Sequence, residues 1–113
     1  SGMVVRAGRA MQLHGGSLDR AQIDKVVAEH NDEIQRCYEK ELLHDSTLQG
    51  KLQVEWVIGT TGAVQSVHQM QSTLRSTAVV ACVMNSIRTW KFPHPSGGPV
   101  TVSYPFLFKG IDF

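Results

Sequence analysis

The chain has 113 residues, of which 42% are hydrophobic, and its 11 Lys and Arg nearly balance its 10 Asp and Glu. This length fits one domain with a real core, and the balanced charge without a basic stripe argues against a nucleic-acid-binding protein. No apolar run approaches the length of a transmembrane helix, and we expect no signal peptide within the sequence. The initial Ser-Gly-Met resembles a cloning remnant, so we interpret the chain as an excised domain.

The first segment, Met3 to Gly16, is weakly patterned. The residues around Val4 and Arg6 are compatible with a short strand, and a flexible lead-in is the alternative. Residues 1–15 are therefore predicted to be a lead-in with a possible extra strand, and residues 16–113 to be the folded domain.

A long amphipathic helix is predicted from Ser17 to Asp45. Ser17 is a good N-cap, and Asp19 adds negative charge to the first turn. Apolar positions recur at steps of three and four residues, which forms one stripe of Ile23, Val26, Val27, His30, Ile34, Cys37, Tyr38 and Leu42. The opposite face is charged, as is typical of a solvent-exposed helix face.

A β-hairpin is predicted next, from Lys51 to Gln71. Its first strand alternates polar residues with Leu52, Val54, Trp56 and Ile58, the period of a strand that is buried on one side. Gly59 and Gly62 are expected to supply positive φ angles in the turn. In the return strand Val64 and Val67 are three residues apart, so we expect a β-bulge near Gln65 and Ser66.

A second helix is predicted from its N-cap Ser76 to a stop at Pro93, followed by a proline- and glycine-rich loop. Its apolar stripe consists of Val79, Cys82, Val83, Ile87 and Trp90. The closing strand is Val100 to Phe108. The order α-β-β-α-β predicts an α+β fold in which two helices pack on one face of a three-stranded antiparallel sheet. A right-handed crossover would place the last strand beside the first.

The closing strand contains Pro105, which has no N–H to offer a neighbouring strand. Because strand prolines are mostly confined to edges, strand starts and bulges, we predict an edge strand that a partner segment can extend. The expected partner-binding residues are Val100, Thr101, Val102, Ser103, Tyr104 and Pro105. We expect the guest to dock along Val100 to Tyr104, with Pro105 limiting its register. The alternate side chains from Val100 to Phe108 are expected to face the core rather than to form an exposed aromatic patch.

The two cysteines, Cys37 and Cys82, lie on the apolar stripes of two helices that should face the same sheet, so they could meet. Two buried free thiols and a disulfide both remain open. A catalytic or metal-binding role is disfavoured because neither cysteine has clustered partners, and the five histidines are scattered. There is no Ser-His-Asp pattern, P-loop or G-x-G-x-x-G motif. We therefore predict no catalytic, metal-binding or cofactor-binding residue, and no enzyme.

Several short motifs form a joint pattern: Cys37-Tyr38-Glu39, Gly50, Gly62-x-Val64, Ser72-Thr73-Leu74, Cys82, Trp90-x-Phe92-Pro93 and Tyr104-Pro105-Phe106. Together they resemble the AgmX/PglI C-terminal domain, a TonB-like domain of large envelope proteins in myxobacteria and their relatives. The resemblance covers about Gly16 to Phe108.

This resemblance implies a periplasmic domain of a protein that is anchored in the inner membrane and linked to gliding motility or other envelope-spanning machinery. It implies strand addition of an outer-membrane or periplasmic partner along Val100 to Phe108, and force transmission without catalysis. It also implies that Cys37 and Cys82 pair, which an oxidising periplasm permits. The alternative function is assembly by binding peptidoglycan or another periplasmic scaffold. A homodimer through the same edge is a further possibility.

Overall fold

The computed structural model describes residues 2–7 and 12–111, and the side chains of residues 14–110. The elements in chain order are β1 (Gly2–Ala7), β2 (Gln12–Ser17), α1 (Arg20–Glu29), α2 (Asn31–Leu42), β3 (Gly50–Ile58), β4 (Val64–Ser72), α3 (Thr77–Arg88) and β5 (Ser96–Ile111). The predicted α+β class is confirmed. In the described part of the chain, two N-terminal strands, β1 and β2, join the predicted sheet. The first predicted helix consists of two helices, α1 and α2.

The first helix begins later than predicted. Asp19 caps α1, because its side chain accepts a hydrogen bond of 2.9 Å from the N–H of Ala21. The predicted N-cap, Ser17, instead ends β2. The carboxylate of Asp19 provides the same capping acceptor as a serine hydroxyl and adds a favourable charge at the helix start.

The same helix is also interrupted at His30, which separates α1 from α2. The φ of −104° and ψ of 9° at His30 leave the helical region, although its N–H still reaches the carbonyls of Val26 and Val27. Asn31 and Asp32 follow, and such residues favour helix starts over helix interiors. The apolar stripe survives the break, since Ile23, Val27, Ile34, Cys37 and Tyr38 are all buried.

The third helix, α3, begins as predicted but ends at Arg88, before the predicted stop at Pro93, so that Trp90 lies beyond the helix. Ser76 is its N-cap, and the Ser76 hydroxyl accepts a hydrogen bond of 3.1 Å from the N–H of Val79. The predicted stripe is buried at Val79, Val83, Ile87 and Trp90, and Cys82 is half-buried.

Strands β3 and β4 form the predicted hairpin. The register passes from Val57–Ser66 to Ile58–Val64, so Gln65 is the extra residue and the expected bulge is confirmed. A second shift, between Gln53 and Val54, makes Met70 an extra residue that the sequence pattern did not indicate. In the turn, Gly62 has a φ of +88°, whereas Gly59 lacks the positive φ that we expected.

The sheet is antiparallel, with the order β1-β5-β3-β4 and with β2 also pairing with β5. The predicted neighbours β4, β3 and β5 are confirmed. One face of β3 and β5 is fully covered by the helices, and its buried side chains are Leu52, Val54, Trp56, Ile58, Val100, Val102, Tyr104, Phe106 and Phe108. This set includes the whole predicted core face of the closing strand.

All three helices reach this face of the sheet. From α1, Asp24 accepts a hydrogen bond of 3.2 Å from the Tyr104 hydroxyl. From α2, the Tyr38 ring lies 5.1 Å from Phe108. Beyond α3, the Trp90 ring meets Trp56 edge-on at 6.1 Å. Burial and the charge of Asp24 raise the pKa of Tyr104, so this tyrosine is a neutral donor that ties α1 to the sheet.

The prediction that the closing strand is an edge is wrong for this structure. β5 extends beyond the predicted Val100–Phe108 at both ends, and it is paired on both sides. β3 covers one side from Val100 to Phe108. On the other side β1 pairs with residues 106–111 and β2 with residues between 96 and 103. The N-terminal segment supplies the main-chain partners that make the longer strand possible.

Candidate functional site

The outer side of β5, which faces away from β3, is the candidate partner-binding surface. The residues of β5 that point their main-chain groups to this side can be found from the pairing of β3. In β3, the N–H of Lys51 donates to the Thr73 hydroxyl at 2.9 Å, and the carbonyl of Lys51 accepts from the N–H of Thr73 at 2.8 Å. Lys51 therefore directs its main-chain groups away from β5. Because main-chain groups alternate in direction along a strand, the even-numbered residues of β3 point their N–H and C=O groups toward β5. The register pairs Leu52 with Phe106, so the even-numbered residues of β5 point their N–H groups at β3.

The odd-numbered residues of β5 consequently point their main-chain groups outward. Thr101, Ser103 and Leu107 offer N–H donors on this side, and Pro105 offers none. The inner pairing with β3 continues through Pro105 without a register shift. The outer pairing ends on one side of Pro105 at Ala7–Phe106 and resumes on the other at Gln12–Ser103. Pro105 thus marks the point at which the outer neighbour changes from β1 to β2.

Residues 14–17 of β2 are held to β5 mainly by their main chain. His14, Gly15 and Ser17 are exposed and Gly16 is half-buried, so none of these residues places a buried side chain. The backbones approach closely: a Cβ atom on Gly16 would lie 2.1 Å from the carbonyl oxygen of Gly98. Main-chain hydrogen bonds contribute only about 1 kcal/mol each in net stability. Residues 14–17 of β2 are therefore weakly held.

The predicted site residues fall into two groups apart from Pro105, which is itself buried. Val100, Val102 and Tyr104 bury their side chains among the helices, so they contribute to the core. Thr101 and Ser103 lie on the opposite face and are half-buried, and Gln53 donates a hydrogen bond of 2.7 Å to the Ser103 hydroxyl. A guest strand on this side would meet main-chain groups rather than a pocket of side chains.

The two cysteines form a disulfide bond between α2 and α3. The Cα atoms of Cys37 and Cys82 are 5.7 Å apart, and 45 residues separate them in sequence. This pairing confirms the disulfide and excludes the alternative of two free thiols in this structure.

A second link between α2 and the end of α3 surrounds Glu33. Its carboxylate accepts hydrogen bonds from Nδ1 of His30 at 2.5 Å and from Nε1 of Trp90 at 3.1 Å. The His30 ring stacks on Trp90 with 5.0 Å between centroids. Burial acts to raise the pKa of Glu33, but these hydrogen bonds and the charges of His30 and Arg36 prevail and lower it.

An open groove of about 810 Å³ lies between α3 and the free side of β4. Its apolar lining includes Leu74, Val80, Ala81 and Met84, and its charged residues are Glu41, Arg75 and Arg88. In the sequence, Ala81, Met84 and Arg88 recur at helical spacing outside the buried stripe of α3, and no role is predicted for that side of the helix.

Among the residues that the structure describes, no group of three His, Cys, Asp or Glu residues could hold a metal ion. None of the helices in the described ranges is both long and apolar enough to span a membrane.

The chain matches no protein-family model, no curated protein and no solved structure. The resemblance to the AgmX/PglI C-terminal domain therefore stays a prediction.

Proposed function

We propose that this domain is a non-catalytic protein-interaction module that binds an extended partner segment by strand addition along the outer side of β5. On the predicted resemblance, it would act in the periplasm as part of an inner-membrane-anchored envelope or gliding-motility protein, and it would transmit force to its partner. In this proposal β1 and β2 occupy the binding edge from within the chain, and the partner replaces one or both.

One observation carries the proposal: the outer side of β5 accepts two separate short strands, one on each side of Pro105. An edge that pairs with two segments of unlike sequence recognises main-chain groups, which is the basis of strand addition. Because residues 14–17 of β2 bury no side chains, replacing this part of β2 with a partner strand should cost little free energy.

The test uses the chain's own N-terminal segment as the probe. A fluorescein-labelled peptide with the sequence of residues 2–17 is titrated into the wild type and into Gly16→Val, and binding is followed by fluorescence anisotropy. The valine side chain cannot fit where a Cβ would meet the Gly98 carbonyl at 2.1 Å, so the variant should release β2 and open the edge. We expect the variant to bind the peptide at least tenfold more tightly than the wild type.

The matched control is Gly110→Val, because a Cβ at Gly110 would meet no atom of the described residues within 4 Å. This variant should bind the peptide as the wild type does. Equal affinity of Gly16→Val and Gly110→Val would contradict a replaceable strand on β5. If neither variant binds and the domain instead sediments with purified cell wall, the alternative function of peptidoglycan binding replaces the proposal.

A further inference from the structure

We propose that the groove between α3 and β4 is a second binding site, for an extended acidic segment of a partner protein. This site lies on the opposite side of β3 from β5 and does not depend on strand exchange there. The volume of about 810 Å³ is within the range of about 300–1,000 Å³ that is usual for ligand pockets.

The sign of the partner's charge follows from a segregation of charge along the chain. From residue 56 to residue 111 the sequence contains Arg75, Arg88, Lys91 and Lys109, and no Asp or Glu. β4, α3 and the loop between them all lie in this segment, so Arg75 and Arg88 have no acidic neighbour on the same elements. Complementary charge favours an acidic partner and raises its rate of association.

The only carboxylate among the residues that line the groove comes from α2. The disulfide between Cys37 and Cys82 and the hydrogen bond from Trp90 to Glu33 show that α2 and α3 are antiparallel. Glu41 is therefore at the end where α3 begins, near Arg75, and Arg88 at the other end is the stronger site for an acidic residue.

The length of α3 indicates an extended occupant of six or seven residues. The 12 residues of the helix rise about 1.5 Å each, so the helix is about 18 Å long. An extended chain advances about 3.3 Å per residue and covers this distance in about six steps. Two acidic residues six positions apart would reach both arginines, with apolar side chains between them over Ala81 and Met84.

The occupant should bind through side chains more than through added strand pairing. The bulge at Met70 disrupts the ladder of β4 close to Gln69 and Ser72, the β4 residues that line the groove. Bulges protect edge strands from accepting a further strand. The exposed Ala81 and the half-buried Met84 then provide the apolar contact, and the arginines provide the orientation.

The experiment titrates the oxidised domain with the heptapeptide Asp-Ser-Leu-Thr-Val-Ser-Asp and follows amide shifts by NMR. The control peptide replaces both Asp with Lys. We expect the acidic peptide to shift amides of α3 and of the end of β4, and the basic peptide to shift none of them. Arg88→Glu should weaken binding about fivefold, since exposed ion pairs are worth up to about 1 kcal/mol.

Two further variants distinguish binding in the groove from a general effect of the protein's charge. Lys91→Glu makes the same charge change at an exposed cation outside the groove lining, and it should leave the affinity unchanged. Ala81→Trp fills the groove and should abolish binding, with the fold verified by circular dichroism. The site is refuted if both peptides bind equally, if Arg88→Glu and Lys91→Glu have equal effects, or if the shifts map to β5. Dimerisation through α3 in light scattering would also refute it.

Discussion

At the scale of single residues, removal of the disulfide between Cys37 and Cys82 is predicted to have a large effect on stability. The bond closes a loop across 45 residues, and loop-closure entropy assigns such a cross-link about 4 kcal/mol. We expect the Cys37→Ala/Cys82→Ala variant to lose about this much free energy of unfolding. Urea denaturation of the variant and of the wild type, oxidised and reduced, measures the loss. The reduced wild type should match the variant, and an oxidised wild type that also matches it would contradict the prediction.

Glu33 carries a prediction of pH dependence. Its pKa in the folded state is lowered below the usual value of 4.5, so the ionised carboxylate stabilises the fold above that pH. This contribution is lost as the pH falls through the lowered pKa of the folded state. We expect Glu33→Gln to lose roughly 1 kcal/mol at neutral pH, a modest figure because the side chain is one-third exposed.

The readout for Glu33 is the free energy of unfolding of the wild type and of Glu33→Gln between neutral and acidic pH. The difference between the two proteins should shrink as the pH falls below about 4.5. Glu39→Gln is the control, because Glu39 is on the same helix and outside the His30–Trp90 pair. A difference for Glu33→Gln that stays constant with pH would show that its carboxylate charge contributes nothing.

At the scale of elements, the direction of the main-chain groups of β5 predicts the effect of a second proline. Ser103→Pro removes an outward N–H and leaves the inner pairing with β3 intact, as Pro105 already does. We expect the variant to keep its fold and to weaken the attachment of β2. In the Gly16→Val background, Ser103→Pro should also weaken binding of the N-terminal peptide. Ser103→Ala, which loses only the hydrogen bond from Gln53, should bind normally.

Elements with a local signal were predictable, as was the pairing of β5 with β3, whereas the pairings of the N-terminal strands β1 and β2 were not. The N-cap Ser76 and the bulge at Gln65 each follow from a few neighbouring residues, and both are confirmed. The N-cap of α1 is Asp19 instead of the predicted Ser17, because Ser17 belongs to β2 and pairs with Ser96. In that place a tertiary pairing prevailed over a local capping preference.

At the scale of the whole molecule, the sheet predicts a gradient of hydrogen exchange. β3 lies between two strands and buries Leu52, Val54, Trp56 and Ile58, so its amides should open only with global unfolding. The amides of β2 have no buried side chains at residues 14–17 to protect them and should exchange at least a hundredfold faster, a difference of about 3 kcal/mol. Exchange followed by NMR provides the measurement. Equal protection of β2 and β3 would argue against a replaceable β2.

The candidate sites also differ in how far they could be predicted from the sequence. The cysteines could be identified from their positions on two apolar stripes, and their pairing is confirmed. The importance of Pro105 was visible in the sequence, and the structure adds that its missing donor coincides with the change from β1 to β2. The groove at α3 was not predicted, because a stripe that contains Ala81 and Met84 on an exposed helix side has no distinctive chemistry until β4 is placed beside it.

The sequence by itself determined the class of fold, the buried face of each central strand, the turn at Gly62 and the helix cap at Ser76. These features depend on side-chain type and spacing, which are local properties of the chain. Only the tertiary structure decided that β5 is covered on both sides and that a groove opens beside β4. The physical reason is that nearly every residue carries the same main-chain donor and acceptor, so the sequence records which face a strand buries but not whether a further segment will pair with its open edge.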